Sequence, residues 1–313
     1  MDKTDLKILL ELDKNPRISL SQLARSVRIS KEKAQYRFKQ LVKKNILTGF
    51  YAFVNLAKLG YQTHKILIKY KSVTNEVQEE IKEYILDHNV VAWAGYCEGT
   101  WDLVITTVTP TSRDLMDFYT SFFNKFGRYF KQKEILIPID DHILNEKYLS
   151  DGCFISKKRL DFHTDKTAVD ETDRKIITEI SINSRATFTE IGEKLGVNYW
   201  TIAQRYKKLA SQDLIMALKP RIDFRKLGLS YYHLLIELNH EEIKDKIISY
   251  YVQHKSCIMI MNHAGHYSLH LEFVLRKDEM NEVIIDLRER FGEGIMSYEP
   301  LLIIEEYIMN LLR

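Results

Sequence analysis

The 313-residue chain is poor in the residues that mark several protein classes. With 12 Gly and 5 Pro, it lacks the composition of a collagen-like or low-complexity disordered polypeptide. Its three cysteines, Cys97, Cys153 and Cys257, are far apart and odd in number. They form no CxxC pair, zinc spacing or disulfide framework, as suits a reducing cytosol. No stretch approaches the roughly 20 apolar residues a membrane helix needs. Met1-Asp2-Lys3-Thr4-Asp5 has no apolar run behind its charges, so no secretory signal is expected there. The expectation is a cytoplasmic protein with no membrane partner.

What is present fits a folded chain of two to four small domains, 45% hydrophobic and 28% charged. The net charge of +3 is small but unevenly placed: residues 1–50 hold 12 Lys/Arg against 5 Asp/Glu. A polyanion can use such a basic segment.

The chain also repeats itself. Thr4-Asp5-Leu6-Lys7-Ile8-Leu9-Leu10-Glu11 returns, 168 residues on, as Thr172-Asp173-Arg174-Lys175-Ile176-Ile177-Thr178-Glu179. The same gapless shift pairs Asn15 and Arg17 with Asn183 and Arg185, Arg37–Leu41 with Arg205–Leu209, and Lys58-Leu59-Gly60 with Lys226-Leu227-Gly228. This is duplication, and each half is one architectural unit.

Each unit opens with three short helices. The first starts at Asp2 or Asp170. The second starts at a capping box, Ser19-x-x-Gln22 or Thr187-x-x-Glu190. The third is capped by Ser30 or Asn198, buries Ala34, Phe38 and Leu41 (Ile202, Tyr206 and Leu209), and stops near Asn45 or Asp213. Apolar stretches follow at Ile46–Val54 and Leu214–Ile222.

The remainder of each unit reads β-α-β-β-α-β, the ferredoxin-like order. Strands are predicted at His64–Lys71, Val90–Cys97, Trp101–Thr109 and Lys133–Ile139, then at Tyr232–Leu238, Cys257–Asn262, Tyr267–Arg276 and Met296–Ile304. The expected fold class is α+β: two winged helix-turn-helix domains (1–60 and 170–228), each followed by a ferredoxin-like domain (61–149 and 229–313). A polar linker, 150–169, carries Lys157-Lys158-Arg159. One sheet face per unit has no helices over it and needs a partner, from the same chain or another.

Two helices joined by a short turn, the second basic on its outer face, form a major-groove reader. The candidate DNA-contacting residues are Lys31, Lys33, Gln35, Arg37 and Lys39 in the first copy, and Tyr199, Thr201, Gln204, Arg205 and Lys208 in the second. Arg and Gln suit paired bonds to guanine and adenine, and Lys and Tyr suit phosphate. The bland reading is a solvated basic face, but the spacing occurs twice. Trp200 is read as packing, and the less basic second copy as the weaker or differently specific reader.

These residues resemble the leucine-responsive/asparagine-operon regulator (Lrp/AsnC) family. The match lies in Thr4-Asp5…Ile8-Leu9, Arg17-Ile18-Ser19, Leu23-Ala24-Arg25, Ile29-Ser30, Arg37…Leu41, Ile46–Ala52 and Leu59-Gly60-Tyr61. The family usually has Gly where this chain has Arg28 and Asn45, and one unit per chain rather than two. The resemblance implies a regulator of double-stranded DNA whose α+β domain self-associates and takes an amino-acid effector beside a Gly-x-x-Asp turn. Here that turn is Gly99-Thr100-Trp101-Asp102, with Gly99, Thr100 and Asp102 as the effector candidates. The competing reading is a plain β-turn whose Asp satisfies local amides. The second copy, Gly265-His266-Tyr267-Ser268, has lost the acid and is read as structural or as sensing something else.

Two rivals differ in class. Siroheme decarboxylases look like the same paired architecture and use His and Arg near this turn. The chain offers His263, His266 and His270 but Tyr96 and Glu98 in the first copy, so that pattern is incomplete. The other rival is an architectural DNA binder without an effector. A metal site is not expected: His266 and His270, four apart on a strand, stand about 13 Å apart, and His263 and His266 read as exposed hairpin residues. Gly292-Glu293-Gly294 lacks the setting of a dinucleotide site, and no cofactor is expected. The aromatics Phe118, Tyr119, Phe122, Phe123 and Phe126 recur at helical spacing and read as core.

Overall fold

The computed structural model describes residues 1–150 and 157–309. Cys153 and part of the expected linker, with the last four residues of the final domain, lie outside the described residues.

Each early helix starts where its cap stands. Asp2 accepts from the N–H groups of Thr4 and Asp5 at the head of α1 (Lys3–Lys14). Ser19 and Gln22 close a capping box on α2 (Leu20–Ser26), and Ser30 caps α3 (Lys31–Lys43). Arg28 and Asn45 sit at φ 58° and 54°, so the left-handed turns that favour glycine persist without it. β1 (Leu47–Val54) follows.

The first α+β segment then runs β2 (Gln62–Tyr70), α4 (Asn75–Asp87), β3 (Val91–Glu98), β4 (Leu103–Thr109), α5 (Ser112–Phe126) and β5 (Phe130–Leu144). A strand not foreseen, β6 (Lys157–Asp161), lies in the expected linker. It pairs with Asp140–Leu144, the part of β5 that runs past β2, and so covers an edge that would otherwise stay open.

The second unit repeats the first: α6 (Glu171–Ile182), α7 (Phe188–Leu195), α8 (Tyr199–Ser211) and β7 (Ile215–Ile222), then β8 (Ser230–Leu238), α9 (Lys244–Gln253), β9 (Cys257–Ala264), β10 (Leu269–Leu275), α10 (Glu279–Phe291) and β11 (Ile295–Met309). Asp170, Thr187 and Asn198 cap its first three helices.

The two halves pair within the chain. Strand order is β2-β4-β3-β11-β8-β10-β9-β5-β6, and a further β2–β5 pairing closes the first eight strands into a ring. The joins between halves are β3–β11 and β5–β9, related by the same repeat. Outside the ring, Ile66, Ile68 and Ile105 pack on Phe118, Phe122 and Phe126, and Leu234, Ile236 and Phe273 pack on Tyr251 and Leu287. Inside it, Leu67, Val104 and Leu136 meet Leu235, Val274 and Leu301. Each bare sheet face is thus covered by the other half. β5 and β11 are longer than foreseen because their far ends pair with the opposite unit.

Candidate DNA-reading heads and interior cavity

The two helical heads are joined by a ribbon. β1 pairs antiparallel with β7, with Phe50 opposite Pro220 and Ala52 opposite Leu218. Two arginines lock the join from either side. The Arg17 guanidinium donates to the carbonyls of Ser184 (2.9 Å) and Ala186 (2.7 Å) and lies 4.4 Å over the Phe188 ring. Arg185 answers with Pro16 (2.7 Å) and Ile18 (3.1 Å), over Phe38 and Phe50. Phe38 and Tyr206, foreseen as core, are half-buried, with Arg185 over Phe38 and Arg17 over Tyr206.

On the outer face of α3, Lys31, Lys33, Gln35 and Lys39 are exposed; on α8, Tyr199, Gln204 and Lys208 are exposed and Thr201 is half-buried. The arginines of the predicted set stand differently. Arg37 donates to Asp2 (2.6 Å) and Asp5 (2.8 Å). Arg205 does the same with Asp170 (2.6 Å) and Asp173 (2.8 Å). The amide of Asp5 and then Arg37 hold the Asp2 carboxyl below the usual range. Trp200, expected to pack, is 74% exposed, and Tyr36 on the first copy is 63% exposed. Sequence reasoning passed over Tyr36, which lies off the Ala34, Phe38 and Leu41 face and was not among the residues singled out.

The Gly99–Asp102 turn lies against the other half. Gly99 has φ 146°, and a Cβ there would meet the Pro300 carbonyl at 2.6 Å. Thr100 donates to Glu299 of β11. Asp102 accepts from the Tyr70 amide (2.7 Å) and from Lys69 (3.0 Å). Both its oxygens are engaged within the first unit. At the second turn, Ser268 donates to Glu241 (2.7 Å), and His266 is exposed beside Glu237.

A cavity of about 480 Å³ opens between the ribbon and the ring interior, reaching from Tyr51 and Lys219 to Lys65, Asp141, His263 and Glu272. Strand alternation builds its polar end. On β10, Leu269, Leu271 and Phe273 face the helices, which turns His270 and Glu272 inward. Lys65 Nζ is 3.0 Å from His270 Nδ1 and 3.2 Å from the Met261 sulfur. His233 lies 3.5 Å from Glu272, and its ring is 4.4 Å from that of His270. Tyr231 donates to the other Glu272 oxygen.

Burial sets the protonation here. It pushes Lys65 down and His233, His263 and His270 well down, and lifts Asp141 to about 8 and Glu272 above its usual range. Of these six residues, sequence reasoning had singled out only His263 and His270. The alternation Leu269-His270-Leu271-Glu272 was legible, but not what meets its polar face, and His263, read as an exposed hairpin residue, is buried.

Paired winged heads on a doubled α+β ring define a helix-turn-helix regulator architecture. Residues 1–48 match the family of winged helix-turn-helix DNA-binding domains, and residues 169–210 match the AsnC-type helix-turn-helix domain. The HTH-type transcriptional regulator Ptr1 of Methanocaldococcus jannaschii is 38% identical over 120 residues, which span 38% of this chain and 78% of Ptr1. The uncharacterized HTH-type transcriptional regulator PH1916 of Pyrococcus horikoshii is 32% identical over 116 residues, 37% of this chain and 77% of that protein. The chain belongs to the Lrp/AsnC family of transcription regulators. Its fold also follows that of the siroheme decarboxylase NirDL, with a TM-score of 0.66 at 16% identity, over 99% of this chain and 94% of that one. Among the described residues no helix is long and apolar enough to cross a membrane.

Proposed function

We propose that this chain is a cytoplasmic, sequence-specific regulator of double-stranded DNA that carries in one polypeptide the two heads a dimer would supply. The observation behind this is the ribbon with its reciprocal arginine clamps, which fixes two basic helix faces in one rigid frame. Lys31, Lys33, Gln35 and Lys39 form the first reading face, and Tyr199, Thr201, Gln204 and Lys208 the second. Arg37 and Arg205 orient these helices and meet the duplex only if they leave their carboxylates.

Selection from a random duplex library tests this. Enrichment of a site with two spaced half-sites is expected, with affinity falling steeply as salt rises. Broad footprints without a consensus would favour the architectural reading, and no duplex binding at low salt would end both.

An effector has two candidate positions. At the Gly99–Asp102 turn, an amino acid's ammonium group has to displace Lys69 from Asp102. The cavity is already open and is lined by both the ribbon and the ring. Titrating amino acids against the wild type and Asp102→Ala separates the two, since only a ligand at the turn weakens in the variant.

A second reading is catalysis on a tetrapyrrole. It is favoured by the whole-chain likeness to NirDL together with a cavity that holds His263 and the cations Lys65 and Arg221. Adding an iron tetrapyrrole should then shift its main absorption band, and an unchanged spectrum removes this reading.

A further inference from the structure

We propose that the ring interior holds a divalent transition-metal site built by His233, His270 and Glu272. A nitrogen of each imidazole and an oxygen of the carboxylate lie within 4.8 Å of one another, and all three residues are buried. The strand geometry brings them together. His270 and Glu272 are two apart on β10 and share a face, and the β8–β10 register sets His233 opposite Glu272.

The ligand atoms are also spare. Both ring nitrogens of His233 and Nε2 of His270 have no hydrogen-bond partner among the described residues, whereas buried polar atoms are normally satisfied. Tyr231 occupies Glu272 Oε2, leaving Oε1 towards His233 Nε2 at 3.5 Å. Bound atoms of one ion stand roughly 3–3.5 Å apart when each bond is near 2 Å, so modest side-chain rotation closes the set. Two imidazoles and one carboxylate suit zinc, iron(II) or cobalt(II) and leave coordination positions free. Burial holds both rings in the neutral form a metal requires.

Lys65 Nζ stands 3.0 Å from His270 Nδ1, so Nε2 is the nitrogen of that ring left for an ion.

The test uses the full chain, stripped with a chelator and titrated with cobalt(II) at pH 7.5. One equivalent should bind, with visible ligand-field bands. His233→Ala, His270→Ala and the size-conserving Glu272→Gln should each weaken binding about tenfold or more, while His266→Ala on the exposed hairpin leaves it unchanged. Circular dichroism melts without metal identify the variants that fold, and the folded ones carry the comparison. Failure of the wild type to take up cobalt at 100 µM-scale concentrations (roughly, a millimolar-or-weaker site) overturns the proposal. So does uptake with the same affinity and spectrum in Glu272→Gln and His233→Ala. DNA plays no part in the readout, so the site and the regulator reading fail separately.

Discussion

Arg37 and Arg205 bind each reading helix to the helix that opens its head, and this changes what their removal should do. A surface pair of this kind adds little to stability. Arg37→Ala should therefore lower Tm by about a degree or two and weaken DNA binding through misplacement of α3. Lys33→Ala and Gln35→Ala, at exposed positions, should weaken DNA binding with Tm unchanged. Thermal melts and operator titrations on the three variants check this; an unaltered Tm for Arg37→Ala would return that arginine to the groove. The signal was present in the sequence, since Asp2, Asp5 and Arg37 recur as Asp170, Asp173 and Arg205. It went unread because the partners lie more than thirty residues apart, beyond any local helix rule. Asp102 is a similar case: the plain-turn reading put its carboxylate on local amides, whereas it accepts from the Tyr70 amide and Lys69 on β2.

Among the elements, the strands and helices bounded by caps and turns were legible to within a few residues, because their limits are set by neighbours in sequence. β5, β6 and β11 were not. The far ends of β5 and β11 are defined by the opposite unit, and β6 exists because β5 overshoots β2. The ribbon belongs to the same class: β1 and β7 were read as apolar stretches, and their pairing across 168 residues has no local signature. Arg17 and Arg185 make that pairing rigid. The double change Arg17→Ala, Arg185→Ala removes four donor contacts and four arginine–ring contacts. It should leave each head folded by circular dichroism, yet lower affinity for a two-half-site operator by about tenfold or more, since 1.4 kcal/mol is a factor of ten. A single half-site should bind the variant and the wild type alike. Equal loss on both DNAs would mean that the clamps support the heads themselves.

At the scale of the molecule, one buried lysine joins head and ring and a second ties the segment after β5 to α9. Lys219 of the ribbon donates to Asp13 of α1 (2.7 Å) and to the Leu144 carbonyl (2.6 Å) at the end of β5. Lys147 reaches the Val252 carbonyl in the last turn of α9, where a cation meets the negative end of the helix dipole. Its charge also acts on a neighbour: burial first, then Lys147, pushes His254 down to about 4. In the unfolded chain that imidazole takes up its proton near pH 6.5, and in the folded chain it does not. Folding is thus unpenalised above pH 6.5 and loses stability as pH falls towards 4, at about 1.4 kcal/mol per unit. Groups shifted the other way, such as Asp141 at about 8, gain stability over the same range, so the slope of the whole protein mixes opposing terms. A single substitution isolates one of them. His254 Nδ1 accepts from the Ser256 amide at 3.2 Å, and His254→Asn keeps an acceptor there while removing the titration. Urea unfolding at pH 7.5 and pH 5 should show the variant gaining about 2 kcal/mol on the wild type at the lower pH. Parallel pH dependence in the two proteins would mean that His254 is protonated in the folded state, and that Lys147 does not bear on it.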